Sequence, residues 1–331
     1  MELQLLVGSP PHLRGADSIN RIMWSAAAAL IPAVAMSLYF FGLGALKVYL
    51  IAIAAAEAAE LVCLKVRGKP ISFAADGSAF VAGVLLAMVL PPGVAWYCPL
   101  IGGVFAIAIV KHAFGGLGNN VWNPALAARV FLQVAYPMQI SLGRWPAPRT
   151  LWGPPVAAVT MASPLSHGPA AMHPSYLDLL LGNGVAGDIG ETCKVALLVG
   201  AVFLIVLKIV DWRIPAFFIG TVFVLAWALP LGARSPSWAR DPLYHVLSGG
   251  LVLGAFFMAT DLVTTPLTRA GRAIFAVGCG LITILIRRYG SYPEGVAFAI
   301  IIMNTFVPLI DRWVRPRMYG SRTPKVASRE A

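Results

Sequence analysis

The side chains able to do chemistry stand out in this chain because charged residues make up only 12% of it. Asp261 sits among Thr260, Thr264 and Thr265 in FFMATDLVTTPLTRAGR (256–272), where an apolar run stops, crosses polar and proline positions, and restarts. A half-helix end with exposed carbonyls, a carboxylate and hydroxyls suits a cation or a polar ligand group. The plainer alternative is an aspartate that caps the next element. Asn119, Asn120 and Asn123 follow Gly115, Gly116 and Gly118 in KHAFGGLGNNVWNP. Glycines let backbone approach a planar ligand closely, and carboxamides read a donor–acceptor edge on such a ligand. Asn123 before Pro124 also has the form of an N-cap followed by a first-turn proline, so capping competes with ligand binding. Glu57 and Glu60 lie one turn apart in an apolar run, where charge is costly and an ionisable group is a functional candidate by default. Glu60 stands near enough to Lys65 and Arg67 to reach an interface, which makes Glu57 the stronger candidate for moving an ion or a proton. His112 and His245 lack a second ligand at helical spacing and read as interfacial rather than metal-binding.

The elements that must position these residues are apolar. Of the 331 residues, 59% are hydrophobic, and the mean hydropathy is +0.78. A soluble domain carries about 25% charged residues, so the bilayer is the expected solvent. A crossing helix needs roughly 20 apolar residues, and about ten such runs are present. They fall near 22–44, 46–64, 77–91, 96–113, 121–137, 193–210, 214–231, 242–260, 272–288 and 294–311. The third is interrupted at Pro91-Pro92 and the eighth at Thr260-Asp261. Broken helices at membrane depth are tolerated where the freed backbone is buried in protein or lines a cavity, and paired breaks mark binding sites.

An even number of spans puts both termini on one side. Lys and Arg on that side outnumber those on the other by about two to one, which predicts cytoplasmic termini in the inner membrane. No cleavable signal peptide is expected ahead of the first run. GGVFAIAIVKHAFGGLGNNVWNPALAARVF and AVGCGLITILIRRYGSYPEGVAFAIIIMNTF share a layout of apolar helix, basic residues, polar turn and second apolar helix. With five runs per half, the halves are expected to be inverted repeats. The organisation read from this is an N-terminal half over 1–137, an extracytoplasmic segment over 138–192, a C-terminal half over 193–315 and a basic tail over 316–331. The fold class is all-α and polytopic. The net charge of +11 lies in loops beside apolar runs, where topology accounts for it better than nucleic acid does. Cys63, Cys98, Cys193 and Cys279 stand singly, which argues against a zinc or iron–sulfur site within the chain.

The chain resembles the D subunit of the Rnf complex, the ion-translocating ferredoxin:NAD oxidoreductase, and its relative, the B subunit of the sodium-pumping NADH:quinone reductase. The resemblance covers nearly the whole chain. It rests on SPPHLRGADSINRIMW (9–24), KHAFGGLGNNVWNPALAARVF (111–131), LLLGNGVAGDIGETCKVALLVG (179–200), KIVDWRIP (208–215) and FFMATDLVTTPLTRAGR (256–272), in the same order. The short N-terminus favours the Rnf protein. The resemblance implies a membrane flavoprotein with FMN esterified through its phosphate to a hydroxyl side chain, in a segment of the form Asp-x-x-Ser/Thr-Gly-Ala-Thr-Pro-Leu. The matching stretch here runs from Ala157 to Leu165, with Ala157 for Asp, Met161 for Gly and Ser163 for the acceptor threonine. Ser163 is therefore the candidate acceptor.

The resemblance further implies a noncovalent flavin, riboflavin by expectation, held near Gly116, Gly118, Asn119, Asn120 and Asn123; Asp261 and Thr264, read from the break of the eighth run, are added as candidate ligand-binding residues. The expected partners are the C, G, E, A and B type subunits of the complex, an FMN transferase and the lipid bilayer, with no nucleic acid. The chain has no dinucleotide fingerprint, so NAD chemistry falls to sister subunits. The expected function is electron transfer between flavins and partner subunits, coupled to sodium or proton translocation. The alternative from another class is a flavin-free channel or carrier-like scaffold for a small solute or ion.

Overall fold

The computed structural model describes residues 18–140, 145–146, 160–161, 165, 174–229, 241–290 and 294–315. Helix α1 (Ile19–Phe41) starts at Ser18, whose hydroxyl accepts from the Arg21 N–H. It is separated from α2 (Leu43–Val66) by Gly42 alone, at φ +56°, a conformation that favours glycine. A 3₁₀ turn over Ile71–Asp76 leads into α3 (Ser78–Met88). Helix α4 (Tyr97–Val104) runs on into a π-helical segment, Phe105–His112. Then come α5 (Pro124–Ala135) and the short α6 (Pro137–Ile140). Two short strands, β1 (Trp145–Pro146) and β2 (Thr160–Met161), pair antiparallel with Trp145 opposite Met161.

The second half begins with α7 (Tyr176–Leu181) and a 3₁₀ turn over Ile189–Glu191. It continues through α8 (Lys194–Val206), α9 (Arg213–Ala228) and α10 (Pro242–Leu247). Helix α11 (Leu251–Leu253) passes into a π-helical segment over Gly254–Met258. Helices α12 (Arg269–Tyr289) and α13 (Val296–Trp313) complete the described chain. The architecture is thus helical, as the apolar patterning predicts. Among the described residues, each predicted apolar run contains helix. By length and composition α1, α12 and α13 are able to cross a membrane, whereas α3, α5, α8, α9 and the continuous Tyr97–His112 helix are apolar but shorter.

The breaks differ from expectation in an instructive way. Helix α3 stops at Met88, ahead of Pro91-Pro92, and the freed Leu90 carbonyl accepts from the Ile189 N–H at 3.0 Å. Backbone released from helix is thereby satisfied by the segment that leads into α8. In the eighth run the interruption lies at Ser248–Gly250, not at Thr260-Asp261, which instead closes the run. Two glycines without side chains, Gly249 at φ +66°, make the opening there, and Arg287 donates to the freed His245 and Ser248 carbonyls.

Helix α2 packs on α3 and α4, and α9 packs on α10 and α12. The Tyr97–His112 helix packs on α5, as α12 packs on α13. The halves meet where α1 lies along α8 and α5 along α13. Contact between α1 and α8 is close because Gly200 lacks a side chain: a Cβ there would lie 2.0 Å from the Ala29 carbonyl oxygen. Small residues at such crossings are what dense packing in lipid requires, since apolar burial alone gives little drive between helices there. The core is rich in alanine and leucine, while Val66, Val206, Trp227 and Trp313 stay exposed.

Candidate functional site

A polar-edged cavity lies where the halves meet, between α1, α3, the start of α5 and the residues after α8 and α11. Its volume is about 120 Å³. Leu30, Leu85, Phe256 and Phe257 form apolar walls, and Ser78, Lys111, Asn120, Asn123, Thr260 and Asp261 supply the polar edge. Asn123 begins α5 as the sequence predicts: its side-chain oxygen accepts from the Ala125 and Leu126 N–H groups at 3.1 and 3.3 Å, with Pro124 in the first turn. Its amide nitrogen donates to the Met258 carbonyl at 3.3 Å, which fastens this helix start to the end of the broken eighth run. Asn304, oriented to satisfy both ends of its carboxamide, donates to the Thr264 carbonyl and accepts from the Asn123 N–H, each at 3.2 Å. Asn123 is therefore fully engaged in holding the wall. Asn120 donates to the Trp122 carbonyl at 3.1 Å, and its carboxamide oxygen has no protein partner among the described residues.

Asp261 is half-buried, just past the last helical residue of its run, and it caps its own turn. Its carboxylate accepts from Thr264 Oγ1 at 3.2 Å and the Val263 N–H at 3.4 Å, while Thr265 donates to its carbonyl at 2.9 Å. Burial raises its carboxyl above the ordinary range against the opposing pull of the Val263 and Thr264 hydrogen bonds. Capping and cavity lining coexist here, because the same carboxylate that closes the turn stands in the wall.

Beside the cavity lies a buried charged network. Lys111, on the π-helical segment, donates through Nζ to Glu60 Oε2 and Ser78 Oγ, both at 2.7 Å. His112 Nε2 lies 3.0 Å from the same Glu60 oxygen, and its Nδ1 lies 3.2 Å from the Arg67 guanidinium. Ser78 in turn donates to Asp76. Glu60, His112, Asp76 and Gly116 line a second pocket of about 380 Å³, where Lys69, Ser72 and Phe73 are exposed.

The other buried network sits at the Ser248–Gly250 opening. Arg129 donates to Asp188 at 2.9 Å and lies 3.9 Å from Glu294. Carboxylate oxygens of Asp188, Glu191 and Glu294 all lie within 4.8 Å of one another. Arg287 and Lys194 flank them, Lys194 donating to the Glu191 carbonyl. Gly250 makes room: a Cβ there would lie 2.7 Å from Glu191 Oε1. A cavity of about 10 Å³ borders Glu191 and Lys194. A third polar cluster stands clear of both. Asp211, between α8 and α9, accepts from Arg272 at 2.9 Å and pairs with Arg213 at 3.3 Å. Burial alone would raise its carboxyl, yet hydrogen bonds from the Arg213 N–H and Arg272, with both guanidinium charges, hold it below the usual range.

The structure therefore brings Asn120, Asn123, Thr260 and Asp261 to one cavity, and buries Thr264 behind them. Gly116 faces the second pocket with its φ at +93°. Gly118 and Asn119 are exposed and line neither. Glu57 is half-buried. The expectation that Glu60 turns toward Lys65 and Arg67 at an interface is corrected: it is 2% exposed and pairs inward, because the π-helical segment presents Lys111 and His112 to it. His112 and His245, expected at an interface, are likewise buried. Ser163 lies outside the described residues. Sequence reasoning missed Lys111, Ser78, Asp188, Glu191 and Glu294. A usable signal existed for Lys111 and Arg129, since each is a charge inside or ending an apolar run.

A helical protein of apolar spans, with a polar-edged cavity where its two halves meet and buried ion pairs at each side, belongs to the class of polytopic membrane proteins. More particularly, the chain belongs to the NQR2, RnfD, RnfE family, whose profile it matches over residues 6–320. It is 46% identical over 323 residues to the D subunit of the Na(+)-translocating ferredoxin:NAD(+) oxidoreductase complex of Acetobacterium woodii, with 96% of each chain covered. It is 42% identical over 330 residues to the D subunit of the proton-translocating ferredoxin:NAD(+) oxidoreductase complex of Clostridium ljungdahlii, again with 96% of each covered. To the D subunit of the ion-translocating oxidoreductase complex of Stutzerimonas stutzeri it is 41% identical over 331 residues, with 92% of this chain and 93% of that one covered. The family resemblance read from the motifs is thereby borne out.

Proposed function

We propose that this chain is the flavin-carrying membrane subunit of an Rnf-type ferredoxin:NAD oxidoreductase, and that the cavity between its halves holds a noncovalent flavin. The observation that carries this reading is the convergence of two distant segments on one cavity, joined by the Asn123–Met258 hydrogen bond across 135 positions. The lining chemistry fits such a ligand, and the half-open cavity of about 120 Å³ takes in part of its ring system. The apolar walls suit ring faces, the Asn120 carboxamide oxygen suits an imide N–H, and Thr260 with Asp261 suits the hydroxyls of a ribityl chain. A bound flavin supplies electron transfer, while the protein sets its position, its water access and the charges around it. Asn123 positions the wall rather than the ligand, because both ends of its side chain are spent on protein. A covalent FMN on Ser163 belongs to the same reading, supported by the motif and by the β1–β2 ladder that fixes the backbone just ahead of that residue.

In this reading the chain spans the inner membrane about ten times as two inverted repeats, with cytoplasmic termini. The matched packing of α2 with α3 and α4, and of α9 with α10 and α12, supports the repeat. Electrons come from and go to partner subunits, and coupling to sodium or a proton requires that reduction change the affinity of a site in the chain for the ion. Glu57 and Glu60 are the candidates for that pathway. The test is cofactor content of the intact complex. A yellow complex whose extractable flavin falls in Asn120→Leu, and whose chain carries FMN on the Ser163 peptide by intact mass, supports the reading. A colourless complex with an unmodified chain would favour a flavin-free carrier or channel scaffold built on the same fold.

A further inference from the structure

Lys111 is the one cation among the described residues lining the main cavity, and its side chain is 3% exposed. An ammonium has three N–H donors. Two are spent, on Glu60 and Ser78, each at 2.7 Å. The third has no protein partner among the described residues. Glu60 leads away from the cavity, whereas Ser78 lines the cavity itself and continues to Asp76 beyond it. Glu60 lines the second pocket directly, beside His112, and Ser78 reaches that pocket through Asp76, to which it donates at 2.5 Å. Exposed Lys69 and Ser72 at that pocket bring water to its rim. The groups surrounding Lys111 are Glu57 and Glu60 from α2, Asp76 ahead of α3, His112 on its own segment with Arg67 behind it, and Asp261 across the cavity. A hydrogen-bonded path thus joins the cavity to the second pocket, with Lys111 as the one charged donor at its cavity end beside Ser78.

We propose that Lys111 is the proton donor to the ligand of the main cavity, resupplied from the second pocket through Glu60 and through Asp76 and Ser78. The inference rests on the flavin reading above and assigns this chain's part in it. When the complex's own electron carriers reduce the cavity ligand, an N–H bond of Lys111 breaks and a bond to hydrogen forms on the ligand. The lysine amine then takes back a proton that enters from water at the second pocket. One proton moves from pocket to cavity and Lys111 ends as it began. Lysine suits the role because its ammonium gives up a proton when a stronger acceptor is presented, which arginine does not do.

The experiment uses the intact complex in detergent, reduced rapidly by dithionite in weak buffer with a pH-indicator dye, and follows flavin absorbance and proton uptake together. Flavin content is measured first. Lys111→Arg keeps the charge and the contacts but withholds the proton, so it is expected to retain cavity flavin while uptake slows at least about tenfold. Glu60→Gln combined with Ser78→Ala, which cuts both supply branches while leaving Lys111 in place, is expected to slow uptake as well. Native-rate uptake in Lys111→Arg reduces Lys111 to a fixed counter-charge and overturns the proposal. Should that variant fail to assemble, native-rate uptake in the double variant overturns it instead. A native complex with no cavity flavin is recognised before any reduction and overturns the reading beneath both.

Discussion

The two buried charged networks use similar ingredients to opposite ends. Each is anchored on a basic doublet at the end of a helix, Lys111-His112 after α4 and Arg287-Arg288 closing α12. Around Lys111 lie cavities of about 120 and 380 Å³, and lysine and histidine face the Glu60 carboxylate there, with Arg67 behind the histidine. In the other network a cavity of about 10 Å³ beside Glu191 and Lys194 has room for one water, and two of the three cations are arginines, which stay protonated. One network is built to change state and the other to stay put. The difference lies in which cation faces the carboxylate and in how much water can reach it.

That contrast is open to direct challenge. Arg129→Leu removes the cation of a buried ion pair with Asp188 and is expected to cost about 3–5 kcal/mol, read as a fall in the thermal midpoint of the detergent-solubilised protein. Glu60→Ala strands Lys111 in the same sense, but the adjacent pocket admits water, so a smaller loss of about 1–3 kcal/mol is expected. A larger loss for Glu60→Ala would reverse the assignment of the rigid side. Gly250→Ala brings a methyl group to 2.7 Å from Glu191 Oε1 and tests whether the Arg129 network is as tightly packed as it looks. About 1–3 kcal/mol of destabilisation is expected, and a neutral result would show that the network yields.

Asp211 supplies a partly exposed standard for both. Its carboxyl is held below the ordinary range, so its contribution is present above the unfolded-state value and is lost as pH falls through the folded one. Asp211→Asn should therefore lower stability at neutral pH by no more than about 1 kcal/mol, with the gap to the native protein closing on acidification. A gap that widens in acid would contradict the pairing with Arg213 and Arg272.

Much of this protein is legible in order along the chain. The apolar runs form helices where their lengths demand them, since a buried or lipid-facing backbone must bond to itself. Asn123-Pro124 marks the start of α5 because the chemistry of a helix N-terminus is local. Family membership follows from motifs carried in sequence order. What the chain alone does not show is distance in space. Glu60 looks like an interfacial residue because Lys65 and Arg67 are near it in sequence, whereas Lys111, 51 positions away, is its partner in the fold. The eighth run reads as broken at its polar end, because the true opening at Ser248–Gly250 depends on donors from Arg287, 39 positions further on. Sequence determined which segments are helical and which side chains are costly to bury, both being properties of short stretches in a low-dielectric solvent. Tertiary structure alone decided that the asparagines of one half and the aspartate of the other share a cavity, and which buried charges face water, because those outcomes depend on how separate helices pack.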